Sequence, residues 1–314
     1  FSEVVTVTGT PQLTLETGAT DAVVDYLSGS GGTTLNFTYT VAAGQAASDL
    51  DFDSTAALAL NSGTINDAAG NIATLTLAAP GAANSLGANK ALVVDGIVPT
   101  VLSVSSNSGN GYYNEGDTIV ITLEFDQVVD VSGVPRIELE IGDPDITVDY
   151  ISGTGTNKLT FRYVVSDAHN SDRLAYTDTT AFDLNGATIR DPAGNPLSSL
   201  ILFKTGATGS LSSNKNIRID TIAPTCSLTY VNVTQPLLEN LGKGGDQVQV
   251  IGNFDETVQS TPSLSVVFAD PADVSITDLE FTGSANSDST WTYTFTLPTG
   301  TSYSGNITVT PTYL

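Results

Sequence analysis

Apolar and polar residues alternate along much of this 314-residue chain. Leu35, Phe37, Tyr39 and Val41 are separated by Asn36, Thr38 and Thr40. The same pattern recurs in Ile119, Ile121, Leu123 and Phe125, in Leu159, Phe161, Tyr163 and Val165, and in Trp291, Tyr293, Phe295 and Leu297. A sustained period of two places alternate side chains on one face, so these runs predict strands of sheets with one face buried and one wet. Their Thr, Val, Tyr and Phe content suits a pleated, half-buried surface. Turn clusters separate them: SGSGG at 28–32, SNSGNG at 106–111 and SGTGTN at 152–157. No stretch carries a helical stripe, and AAGQAASDLD (42–51) is expected to form at most one short helical turn.

The pattern is itself repeated. TINDAAGN begins at residue 64 and TIRDPAGN at residue 188, an offset of 124. At that offset 31 of the 75 positions in 1–75 match 125–199 without a gap. After one inserted residue near 205, SLGANK (85–90) meets SLSSNK (210–215), and VDGIVPT (94–100) meets IDTIAPT (219–225). A more diverged third unit follows, in which NFDETV (253–258) parallels EFDQVV (124–129). Three domains are therefore expected. The first spans 1–98 and lacks its first strands. A complete repeat spans 99–223, and a diverged one spans 224–314 and lacks its last strands. The first repeat has no counterpart to most of 100–125. The plain expectation is a window on a longer array, and the sharper one is that open ends accept strands from neighbouring subunits.

Each complete unit needs the TIxDxAGN corner. Its Asp, Asp67 or Asp191, can bond backbone N–H groups two residues on, while Gly and then Asn tolerate the turn. Pro99 and Pro224 hold the preceding residue extended, so the short apolar joints predict a semi-rigid rod. Roughly seven antiparallel strands per unit, by this count, predict a β-sandwich of immunoglobulin-like topology.

Composition narrows the class. Thirty-four acidic residues against ten basic ones leave a net charge of −24, which repels nucleic acid. Nothing approaches the roughly 18 apolar residues of a membrane helix. Cys226 is the single cysteine, so no intrachain disulfide forms, and a buried inert thiol is expected there. Cysteine-poor, acidic and multi-domain, the chain looks like a bacterial surface protein. No catalytic motif is present. His169 stands alone in SDAHNSD, where a solvent-exposed loop histidine is expected.

GDTIVITLEFDQVVDVSGVPRIEL (116–139), VDYISGTGTNKLTFRYVV, LNGATIRDPAGN and NKNIRIDTIAPT follow one another in order. This succession resembles the bacterial immunoglobulin-like tandem repeats of large extracellular surface adhesins, over essentially all of 1–225 and more weakly over 226–314. The resemblance implies an extracellular stalk at the bacterial cell surface, often calcium-bound, with no enzyme activity.

Calcium is the candidate cofactor. Hard cations want several oxygens, and the loops at one end of a sandwich lie near the joint leaving that end. Asp143, Asp145, Asp167, Asp172, Asp220, Asp255 and Glu256 are expected to gather at one junction. Asp21, Asp49, Asp95 and Asp126 are their counterparts at the other. The alternative is a solvated acidic rim. Lys90 and Lys215 recur after Asn, which raises a Lys–Asn crosslink against a plain surface lysine. The leading expectation is a non-enzymatic stalk segment of an adhesin or filament. Its partners are other copies or neighbouring repeats, with surface or host glycans engaged through regions outside this segment. Two alternatives are a self-assembling sheath, fibre or surface layer, and a carbohydrate-binding array of a secreted enzyme. Inward-facing aromatics argue against the last, with GYY (111–113) the exception.

Overall fold

The computed structural model describes residues 1–236, 242–258, 262–268, 275–280, 289–297, 299 and 307–312. The strands at 263–268, 275–280 and 307–312 are described by backbone alone. The fold is nearly all β. The chain forms two compact units, Phe1–Thr221 and Ile222–Leu314. The first unit contains both leading repeats, and its hydrogen-bonded sheets and two hydrophobic clusters each stay within one repeat.

The second repeat is built around one long strand, Thr118–Ser132. Its first half lies between Thr156–Val164 and Val101–Ser106, and its second half turns to pair with Thr188–Arg190. Ile119, Ile121, Leu123 and Phe125 are fully buried, and so are Leu159 and Phe161 from the neighbouring strand. The alternation in the sequence thus becomes one continuous core, from Val104 to Ile219. Burying such side chains contributes about 1.5–3 kcal/mol each.

The first repeat copies this plan register for register. Gln12 faces Ala59 as Arg136 faces Asp183, and Thr6 faces Asn66 as Asp130 faces Arg190. Even a cross-strand contact is preserved in a changed form: Gln12 donates to Asp25 at 2.9 Å where Arg136 pairs with Asp149 at 2.8 Å. One predicted strand is much reduced. Only Asn36–Phe37 of the run 35–41 is strand, at the edge of its sheet. The equivalent Thr156–Val164 is nine residues long because it has a neighbour on both sides.

In the unit Ile222–Leu314, Cys226–Asn232, Gln247–Phe254 and Thr290–Thr296 form a three-stranded sheet. Its register repeats that of the second repeat: Val248 faces Phe295 as Ile119 faces Tyr163. The turn leading into the central strand also recurs. Asp246 accepts the Lys243 N–H at 3.1 Å, as Asp117 accepts that of Asn114 at 3.0 Å. Trp291 is fully buried at the centre of this core.

Residues 42–51 contain no helix: a turn closed by the Gln45 N–H on the Ala42 carbonyl leads into the strand Ala46–Ala47. Four-residue helices instead occupy the recurring NK landmarks, at Leu86–Asn89 and Leu211–Asn214. Ser85 and Ser210 cap them, each hydroxyl accepting an N–H three residues on.

Candidate functional site

The octapeptide corner closes identically in both repeats. The Asn71 N–H and side-chain amide donate to the two carboxylate oxygens of Asp67 at 2.8 and 2.7 Å. Asn195 does the same to Asp191 at 2.8 Å each. Gly70 and Gly194 take φ of 91° and 97°, a region where a side chain is strained. Asn71 holds the Asp67 carboxyl below the usual carboxylate range.

The two corners differ in what they touch. Asp191 is buried and Asp67 is half-buried. The second corner lies against the joint between the repeats, where Asn195 also donates to the Asp95 carbonyl at 2.9 Å. Gln127 donates to the Ile97 carbonyl at 3.0 Å, and the Ser198 hydroxyl and N–H donate to the Pro99 carbonyl at 3.0 and 3.1 Å. Carbonyls 95, 97 and 99 share one edge of an extended segment, because orientation alternates along it. Three side chains of the second repeat therefore hold three alternate carbonyls of the linker. Asp126 closes the far end by accepting the N–H and hydroxyl of Thr100 at 2.8 and 2.6 Å. In the other unit Asp255 accepts the same pair from Thr225 at 2.8 and 2.6 Å. Those bonds hold the Asp255 carboxyl below its ordinary range.

The other acidic residues named from sequence have local roles or lie exposed. Asp95 accepts the Ile97 N–H at 3.0 Å. Asp145 accepts that of Ile141 at 3.4 Å, and Asp167 that of Ala168 at 2.9 Å. Asp143 and Asp172 are exposed, Asp220 and Glu256 half-buried, and the Asp220 N–H donates to the Tyr113 carbonyl. Asp21 accepts the Thr17 N–H at 3.3 Å. Among the described residues, no group of three or more His, Cys, Asp or Glu is placed to hold a metal ion.

A cleft of about 350 Å³ in the first repeat is lined by Glu16, Asp49, Asp51, Asp53, Phe52, Pro80, Gly81 and Gly87. Of its four carboxylates only Asp49 was singled out from sequence, although SDLDFD spaces 49, 51 and 53 by two. Asp51 is buried, and its carboxylate accepts the N–H groups of Phe52, Gly81 and Leu86 at 2.9, 3.0 and 3.1 Å. Burial works against its charge, but hydrogen bonds from Gly81, Ser85, Phe52 and Gly87 prevail and keep its carboxyl below the ordinary range. Asp51 is thus an ionised acceptor, the opposite of the raised carboxyl a general acid needs. A side chain at Gly87 would put its Cβ 3.0 Å from the Asp51 carboxylate, closer than ordinary contact, so that carboxylate would have to shift. The second repeat solves the same problem differently. Ala175 replaces Asp51, Ser212 replaces Gly87, and the hydroxyls of Ser210 and Ser212 take the equivalent Gly206 N–H at 3.1 Å each.

The remaining candidates are structural. His169 is half-buried rather than fully exposed. Its Nδ1 accepts the Ser166 N–H at 3.2 Å and lies 2.9 Å from the Tyr163 hydroxyl, and the two rings stack. Gln45 takes the same place under Tyr39 at 2.8 Å. Burial pushes Tyr163 up to about 12. Cys226 is half-buried, and burial followed by the nearby Asp255 charge raises its thiol, which keeps it protonated and inert. Lys215 donates to the Ser108 carbonyl at 3.0 Å rather than facing an asparagine side chain. Arg218 lies over the exposed Tyr112 ring, 5.4 Å from its centre, which covers that face of the GYY segment. No helix is long and apolar enough to cross a membrane among the described residues. No protein-family model matches the chain, and no curated protein matches it.

Proposed function

We propose that the chain is a non-enzymatic structural segment of a bacterial extracellular adhesin or surface filament. It is made of tandem immunoglobulin-like sandwiches and serves as a spacer that carries a binding region away from the cell. The observation that supports it best is the joint. The linker Asp95–Thr100 is held along its length by Asn195, Gln127, Ser198 and Asp126, so the first two repeats keep a set orientation. A flexible tether would leave those carbonyls to water. Recurrence of the Thr–Asp pair at Thr225 and Asp255 supports a joint designed to be repeated. Hydrogen bonds hold the Asp51, Asp67 and Asp255 carboxyls below the ordinary range, opposite to the raised carboxyl of a general acid, which supports the non-catalytic part. Calcium enters this reading only as an added brace on exposed acids such as Asp143, Asp145, Asp167 and Asp172.

Spin labels at Leu27→Cys and Val164→Cys, in a Cys226→Ser background, test the joint by the distance distribution between them. A narrow distribution that broadens in the Asn195→Ala, Gln127→Ala, Ser198→Ala triple variant is expected. A distribution already broad before those substitutions removes the basis for a rod. Antibodies against the chain should decorate intact cells of the source organism, and labelling only after lysis would refute the surface location.

A further inference from the structure

We infer that the Asn185–Gly186 bond is a site of spontaneous covalent modification, at which the Asn185 amide becomes a carboxylate in the folded chain. The reaction is intramolecular. The Gly186 backbone nitrogen loses its proton to base and attacks the Asn185 side-chain carbon Cγ. The Cγ–Nδ2 bond breaks and ammonia leaves. Water then opens the resulting five-membered imide at either carbonyl, giving aspartate or its β-linked isomer. Asparagine plus water thus yields an acid plus ammonia, with no change of oxidation state. A glycine nitrogen is the favoured nucleophile because no Cβ hinders its approach.

The chain contains an Asn–Gly pair twice, at 110–111 and at 185–186, and the fold treats the two oppositely. At the first, the Gly111 N–H donates to the Asn216 carbonyl at 3.1 Å, and Asn110 Oδ1 accepts the Asn216 N–H at 2.9 Å. Nucleophile and side chain are both locked by one neighbour, where Gly111–Tyr113 pairs with Ile217–Ile219. At the second, Asn185 and Gly186 are exposed, with φ of 50° and 76°, in a turn closed by the Ala187 N–H on the Leu184 carbonyl at 2.8 Å. The Gly186 N–H has no acceptor among the described residues, and a Cβ there would meet nothing within 4 Å. The first repeat supplies a comparison. Asn61 and Ser62 form the same turn at φ of 45° and 64°, closed by the Gly63 N–H on the Leu60 carbonyl at 2.7 Å. The turn therefore folds with a side chain after the asparagine, and packing does not impose the reactive glycine.

Modification would act on the core strand. Asn185 Nδ2 donates to the Val134 carbonyl at 3.2 Å and so ties the turn to the one that ends Thr118–Ser132. The two turns touch by backbone: a Cβ on Gly133 would lie 2.9 Å from Ala187 Cα, and Ser132 faces Thr188 just beyond. Conversion replaces the donor with a charged acceptor facing a carbonyl, and the β-linked isomer also lengthens the turn's backbone by one carbon. This corner of the second repeat therefore loosens as the chain ages. The inference rests on the repeat geometry and does not depend on the stalk role.

The full chain, incubated at mildly alkaline pH in buffer and in urea, tests this by peptide mapping with mass spectrometry. In buffer Asn185 should convert roughly tenfold or more faster than Asn110, whose locked amide must wait for local opening. In urea the two should convert at similar rates, and the Asn185 rate should rise with pH in both. Gly186→Ser should fold as the first repeat does and slow conversion to that of Asn61. Asn185→Asp copies one product and should lower the melting temperature. Three results would each overturn the site: Asn185 intact in buffer while it converts in urea, Asn110 keeping pace with it in buffer, or Gly186→Ser converting as fast as the parent chain. An unchanged melting temperature for Asn185→Asp would overturn the loosening of the corner.

Discussion

The first two repeats share 31 of 75 aligned residues and the same strand register, yet the apolar face of 159–165 is buried and that of 35–41 is half-exposed. Phe161 is fully buried and its counterpart Phe37 is half-exposed, although the local sequences LTFRYVV and LNFTYTV have the same period. An alternating pattern specifies which face a strand offers. Whether that face is buried depends on a neighbour elsewhere in the chain.

That contrast is broken most sharply by truncating the same ring twice. Phe161→Ala should cost roughly 3–5 kcal/mol, as for other fully packed phenylalanines. Phe37→Ala should cost about half of that or less in urea unfolding, because less surface is lost from the core. Equal costs would mean that Phe37 is packed as fully as Phe161.

The buried carboxylate comes next. Asp51→Ala leaves three N–H groups without their acceptor and should destabilise the first repeat by roughly 2–3 kcal/mol. Gly87→Ser alone should also destabilise, since its Cβ meets the Asp51 carboxylate at 3.0 Å. Combined, the two substitutions install the arrangement of Ala175 and Ser212. The pair should be less damaging than the sum of the single changes, by about 1 kcal/mol in a double-mutant cycle.

Acid should act through the same group. Asp51, Asp67, Asp178 and Asp255 all have folded pKa values lowered by hydrogen bonds. A lowered folded value means stability that is fully present above the ordinary carboxylate pKa of about 3.9 and lost as pH falls through the folded value. Melting temperature should therefore be flat from neutral pH down to about 5 and fall below about 4. Asp51→Asn should flatten part of that fall in the first repeat.

Smaller effects belong to the joint and to ions. Asn195→Ala should cost about 1 kcal/mol and loosen the linker, while Asn71→Ala should affect only its own corner. Chelator should lower the melting temperature measurably if the exposed acids bind calcium, and a null result would confine them to a solvated rim.

Much of the fold was legible because period-two runs and a 124-residue offset are properties of the sequence itself. At the joint, Asp126 and Asp255 bond the threonines that directly follow Pro99 and Pro224. Thr100 and Thr225 are distant from them by 26 and 30 residues, so spacing alone could not pair them. The helices at Leu86 and Leu211 were too short for any periodicity to register, and only the Ser caps signalled them. Asp51 gives no signal in the sequence because two of its three N–H donors, Gly81 and Leu86, lie 30 and 35 positions away.

The clamp on the linker has a further consequence under tension. The bonds to carbonyls 95, 97 and 99 lie side by side across an extended segment. A pull along the chain loads them together, in shear, so they must rupture collectively instead of peeling one after another. A joint built this way would stay stiff until a threshold force and then give abruptly.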